Sequence, residues 1–197
     1  MKLEFVGPYH WSESTKTDLG RQSPKLGDYA SQSGIYLWTV PVNGFERVFC
    51  VGRAKKLQAG LNRIIPTYLS GEFGIYDTPM LCEGKISPVY SGLWNVKGDE
   101  KIEIQKKFRR GRGKLYPLAA ENLDASRIWI ALIDEKTAVW AKTGIYHAIK
   151  RRCRDKDVRN FLITLDSHQL RHRAQKSTEI NIVSNVSFEG LPDKIMV

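Results

Sequence analysis

Ser33-Gly34-Ile35-Tyr36-Leu37-Trp38-Thr39-Val40, Pro41-Val42-Asn43-Gly44 and then Arg47-Val48-Phe49-Cys50-Val51-Gly52 form the stretch whose reading decides the fold. The first and last segments are rich in β-branched and aromatic residues, which suit a pleated, half-buried surface. The middle segment joins proline to Asn-Gly, and both are turn formers. Two strands, 35–40 and 47–51, with so short a connection must pair antiparallel. Gly52 closes the second strand. Leu57, Leu61, Ile64 and Ile65 then recur at three- and four-residue spacing and predict a helix over 55–65, with Pro66 where it ends or kinks.

Further along, residues 127–134 are apolar on both faces, as a buried central strand requires. Ala138, Ala141, Ile145, Ala148 and Ile149 define one face of a helix over 137–152. The intervening residues 66–124 read as a large insertion. It is rich in Gly and Pro at first, with a short helix at 102–108 and a loop at 109–114. Residues 1–32 are polar and predict an N-terminal arm with at most one short strand, at 3–6. Residues 158–165 fit helix or strand, 167–176 a helix, and 178–197 a closing strand and tail. The expected class is α+β, with a small antiparallel sheet flanked by helices and one domain over 33–197.

Composition narrows the partner. The 197 residues are 42% hydrophobic and 26% charged, a globular balance with no run long enough to span a bilayer. The first residues lack a basic segment followed by an apolar core, so no signal peptide is expected. Cys50, Cys82 and Cys153 are odd in number and far apart, which suits a reducing cytoplasm rather than a disulfide framework. The net charge is +10. Residues 1–100 hold 11 Lys and Arg against 10 Asp and Glu, whereas residues 101–197 hold 20 against 11. That asymmetry points to a polyanion, with a solvated basic face as the alternative, and charge alone does not separate nucleic acid from an anionic membrane. The expected partner is nucleic acid, DNA ahead of RNA, and no membrane.

Within the basic half, Lys106, Lys107, Arg109, Arg110, Arg112 and Lys114 fall in nine residues interrupted by two glycines. Read as a loop, this lets the backbone approach a phosphate chain while arginines make forked contacts. Lys150, Arg151, Arg152 and Arg154 extend the basic surface from the end of the 137–152 helix, where they also complement the helix dipole. Arg171, Arg173 and Lys176 add a third group. His168 and His172 have a metal-sharing spacing but no third ligand. Tyr90 and Trp94, in the insertion, are candidates for stacking on a base, with packing as the alternative.

The tripeptide Gly-Ile-Tyr occurs at 34–36, 74–76 and 144–146, but only the first opens a strand. Tripeptide, hairpin, closing glycine, helix and late strand–helix together resemble the GIY-YIG nuclease family over about residues 33–65 and 125–152. Residues 68–77 and Gly92-Leu93-Trp94 also look like a bacterial branch of that family. The resemblance implies a metal-assisted phosphodiesterase site with two tyrosines, an arginine and a glutamate. Tyr36 matches the first tyrosine. Cys50 stands at the second, Gly60 at the arginine and Lys142 at the glutamate. Lysine cannot ligate Mg²⁺. It is expected at the margin of its helix's apolar face, either reaching a phosphate or snorkelling to solvent. Arg53 or Arg63 would be the substitute cation, and Glu135 the one carboxylate for a displaced metal.

The leading expectation is a nucleic-acid-binding protein whose family site has decayed and which needs no cofactor. The alternatives are an endonuclease with a rebuilt site, dependent on Mg²⁺ or Mn²⁺, and a non-catalytic protein-interaction module.

Overall fold

The computed structural model describes residues 1–94, 96, 98–153, 156, 161–164 and 178–196. The first third of the chain carries β1 (Lys2–Glu4), β2 (Val6–Tyr9), β3 (Ser12–Glu13), β4 (Arg21–Gln22), β5 (Gly34–Val42) and β6 (Phe45–Ala54). There follow α1 (Leu57–Leu61), α2 (Ile64–Leu69), β7 (Ile75–Tyr76), α3 (Thr78–Cys82), β8 (Pro88–Tyr90) and α4 (Glu100–Ala125). The last elements are β9 (Arg127–Leu132), α5 (Glu135–Arg152), β10 (Ile163–Thr164), β11 (Glu179–Val183) and β12 (Lys194–Met196). The protein is thus mixed α and β, with small, largely antiparallel sheets.

Asn43 and Gly44 both take positive φ, 48° and 86°, between the ends of β5 and β6. A two-residue turn of that kind matches the twist of the flanking strands, which is why Asn-Gly selects it. The hairpin occupies the middle of a five-stranded sheet of order β10-β6-β5-β9-β2. β9 pairs antiparallel along the free edge of β5, with Tyr36 opposite Ile130 and Trp38 opposite Ile128. A bulge after Trp38 makes Phe49 the extra residue, because Trp38 pairs with Cys50 and Thr39 with Val48. Phe49 and Cys50 therefore join the same core.

Alternation along β5 divides that core in two. Tyr36 and Trp38 face a cluster formed with α1, α2 and α4, through Leu61, Ile64, Phe108 and Leu123. Ile35 and Leu37 face the opposite cluster, with Trp129 and the Ala138, Ala141 and Ile145 face of α5. Helices cover both faces, so β5 is buried almost throughout. One charged group inside this packing is paired: Glu46, 3% exposed, accepts from Thr39 Oγ1 at 2.6 Å and from Nη1 of the partly exposed Arg127 at 2.9 Å.

Several expectations are corrected. Residues 1–32 carry four short strands rather than at most one: β1 pairs with β11, β2 pairs with β9, and Trp11, Leu19 and Leu26 enter the core. The helix over 55–65 is two short helices with a break at 62–63. Pro66 lies in the first turn of the second, where its missing N–H leaves no bond unmade. α5 begins earlier than expected, since the Asp134 carboxylate caps it by accepting from the Thr137 amide at 3.0 Å. The closing segment is two strands, and β11 pairs antiparallel with β12.

The largest correction concerns residues 109–114. They are not a loop but the middle of α4, an unbroken helix of 26 residues. Phe108, Leu115, Ala119 and Leu123 are buried along one side, and each large apolar side chain among them contributes up to roughly 1.5–3 kcal/mol. Gly111 and Gly113 each cost about 1 kcal/mol relative to alanine, too little to break it. Pro117 withdraws a hydrogen bond from the carbonyl of Gly113, four residues earlier, where no side chain adds to the crowding. The predicted helix over 167–176, with His168, Arg171, His172, Arg173 and Lys176, lies outside the described residues.

Candidate functional site

Where β6 runs into α1, the chain reads Gly52-Arg53-Ala54-Lys55-Lys56, and the side chains there are small or basic. They form one side of a cleft of about 630 Å³, lined also by Tyr36, Ala59, Gly60, Arg63, Thr67 and Trp94. The volume has a local cause. Ala54, Ala59 and Gly60 present almost no side chain to it. Helix α1 sits so close that a Cβ at Gly60 would lie 2.6 Å from the Ala54 Cβ and 3.5 Å from a Tyr36 ring carbon. Gly60 packs there because it has no side chain, so an arginine at that position would require α1 to move.

The fold thus gathers Tyr36, Arg53, Gly60 and Arg63 around one space, although they come from two strands and a helical segment. It does not bring Cys50 and Lys142, the other two positions compared with the GIY-YIG pattern, there. Cys50 is fully buried opposite Trp38, in the interior of the sheet. Lys142 is 1% exposed, on the face of α5 that packs against the opposite side of the sheet, and is not part of the cleft wall. It therefore neither snorkels to solvent nor stands at a margin. Position 142 lies among the buried residues of α5, with Ala138, Ala141 and Ile145.

The cleft is electrostatically one-sided. Lys55 bonds Glu135 at 2.8 Å, with the two side chains 73% and 47% exposed. An ion pair so open to solvent contributes about 0–1 kcal/mol and yields readily to a competing anion. Lys56 and Arg63 form no ion pair among the described residues. Glu135 is a rim residue held by lysine, not part of a ligand set. Among the described residues no group of three or more His, Cys, Asp or Glu is placed to hold a metal ion. Mg²⁺ and Mn²⁺ take oxygen donors, above all carboxylates. The lysines and arginines of this lining do not fit them.

The remaining basic residues fall into two separate groups. Lys106, Lys107, Arg109, Arg110, Arg112 and Lys114 all project from α4 into solvent. Lys106 bonds Glu103 at 2.8 Å, which holds the Glu103 carboxyl below its ordinary range. Arg112 lies 6.0 Å from the Tyr116 ring centroid. Lys150, Arg151 and Arg152 form the exposed last turn of α5. Lys150 is about 22 Å along the helix from Glu135, so this turn is at the far end from the cleft. There Lys150 Nζ lies 5.4 Å from the Tyr146 ring centroid, and burial followed by Arg151 and Lys150 lowers the His147 pKa. Arg154 lies outside the described residues.

Lys55, Lys56 and Ala59 were not singled out from the sequence. The signal was present in the run Arg53-Ala54-Lys55-Lys56, placed directly at a strand-to-helix junction. No helix among the described residues is long and apolar enough to cross a membrane. Comparison with protein-family models, with curated proteins and with solved structures finds no match for this chain.

Proposed function

We propose that this chain is a nucleic-acid-binding protein of the GIY-YIG nuclease fold whose family catalytic site has decayed, with DNA ahead of RNA as its partner. The observation that carries the reading is the cleft itself: Arg53, Lys55, Lys56 and Arg63 line one space beside Tyr36, with no carboxylate in the lining among the described residues. Such a wall suits phosphates, which arginine meets in forked contacts and lysine as a point charge. The exposed cations of α4 add a second, linear basic surface. The family part of the reading is supported by the order of elements: a hairpin with Tyr36 on its central strand, a helix, a third strand on the other flank of β5, and a long helix after it.

The same geometry argues against hydrolysis at this site. Phosphodiester cleavage needs an activated water and stabilised charge at phosphorus. No carboxylate of the lining stands beside Tyr36 to hold a metal, and position 60 carries no arginine. Losing one oriented electrostatic contact commonly costs about 10²–10³ in rate.

The test is a gel shift and a cleavage assay on duplex and single-stranded DNA and RNA, with and without Mg²⁺ or Mn²⁺. Salt-sensitive binding without metal-stimulated cleavage is expected. Metal-dependent cleavage that vanishes in Tyr36→Phe would replace this reading with an active endonuclease. Absence of binding at low salt would replace it with a protein-interaction module.

A further inference from the structure

Trp94 has a half-buried indole in a chain whose other cleft residues are mostly small or charged. Its ring packs on Phe73 with the planes at 29° and the centroids 6.5 Å apart. It also forms part of the cleft wall that Arg53, Lys56 and Arg63 share. This placement is built. Gly92, at φ 75°, lets residues 91–94 lie against residues 72–74, and a Cβ at 92 would come within 2.6 Å of the Gly74 nitrogen and 2.7 Å of the Phe73 carbonyl carbon. The Leu93 amide then bonds the Glu72 carbonyl at 3.0 Å. Two segments distant from the hairpin thus bring one aromatic side chain to a cationic cleft.

An aromatic wall next to phosphate-binding groups has a chemical partner. In a duplex the base faces are stacked inside and only sugar and phosphate reach such a wall. An unpaired nucleotide offers both parts, a π-face for the indole and a phosphate for the cations. The cleft volume, about 630 Å³, lies within the range of small-ligand pockets, roughly 300–1,000 Å³. It suits one or two nucleotides rather than a double helix.

We infer that the cleft receives an unpaired nucleotide of a nucleic-acid strand, its base lying on Trp94 and its phosphates on Lys56, Arg63 and Arg53. This rests on the nucleic-acid reading above and assigns it a strand state. It also divides the work: the cleft selects single-stranded segments, and α4 supplies sequence-independent attraction to any backbone.

Fluorescence anisotropy on the full chain tests it with three probes: a 12-nucleotide oligodeoxythymidylate, an abasic deoxyribose-phosphate strand of the same length, and a blunt 12-base-pair duplex. The wild-type protein should prefer the thymidylate over the abasic strand by roughly 5- to 100-fold, the usual worth of stacked bases. Trp94→Leu, which keeps apolar packing on Phe73, should abolish that preference and weaken thymidylate binding more than duplex binding. Trp94→Phe, which keeps a ring, should retain most of it. Equal affinity of the wild-type protein for both single strands, or an undiminished preference in folded Trp94→Leu, overturns the inference and leaves the nucleic-acid reading standing. Failure to bind any of the three probes at low salt overturns both.

Discussion

Tyr36 and Gly52 face each other across the central hairpin, and the tyrosine ring fills the space that a side chain at 52 would need. A Cβ built at Gly52 would fall well inside van der Waals contact with the ring and its hydroxyl. Gly52, which lies inside β6 rather than ending it, is therefore the seat of the tyrosine. Gly52→Ala should destabilise the fold by about 1–3 kcal/mol, as overpacking does. Denaturant melts of a double-mutant cycle check the cause. In a Tyr36→Ala background the alanine at 52 should cost almost nothing, and an undiminished cost there would place the strain elsewhere.

Asn122 is 3% exposed and fastens α4 to the β7–α3 junction. Its carbonyl oxygen accepts from the Tyr76 amide at 2.8 Å, and its Nδ2 donates to the Tyr76 carbonyl at 2.9 Å and to Thr78 Oγ1 at 2.8 Å. Asn122→Ala leaves a backbone donor and acceptor without these partners. It should cost about 2–4 kcal/mol of stability by denaturant titration. Asn122→Asp keeps the acceptor but loses both donated bonds, and should also destabilise.

Burial pushes the phenols of Tyr76 and Tyr90 up to about 12, and that of Tyr68 up as well. Between about pH 10 and 12 an unfolded chain has released these protons and the folded chain has not. The unfolded state then binds fewer protons, so the stability these groups contribute is fully present below about pH 10 and falls as pH rises toward 12. Absorbance titration of the phenolate band should show a delayed class of tyrosines. Tyr76→Phe should remove one member of it, and an unchanged delayed amplitude would show that Tyr76 ionises normally.

On α4, Lys106, Arg110 and Lys114 are spaced by four residues, with Lys107 on the same outward side. Changing these four to glutamine preserves helix propensity and removes the charge. If they contact duplex DNA, the log–log salt slope of binding should flatten by about 0.9 per lost phosphate contact. Changing Arg109 and Arg112, on the flank nearer Tyr116, should flatten it less. Equal slopes for all variants and wild type would make α4 a bystander.

The hairpin was legible because its signals are local: β-branched and aromatic runs on either side of Asn-Gly. The strand did not close at Gly52, since pairing continues to Ala54. So was α5, whose small apolar residues recur at helical spacing. The helix over 109–114 was not legible, since Gly111, Gly113 and Pro117 each argue locally against it. Only the burial of Phe108, Leu115 and Leu123 in the core decides in its favour. The position of Lys142 failed for a similar reason: periodicity placed it near the apolar face, while full burial depends on how closely α5 approaches the strands.

The sequence by itself determined the order of the central elements, the antiparallel pairing of β5 with β6, and the excess of positive charge, because turn chemistry, side-chain period and composition are properties of neighbouring residues. The cleft was decided by tertiary structure alone. Tyr36, Arg63 and Trp94 are separated by 27 and 31 positions in the chain, and nothing in their spacing brings them together. They meet because α1 packs through Gly60 onto Ala54 and because Gly92 lets a distant segment lie against residues 72–74. Such close approaches are made by packing against the sheet, and no local preference encodes them.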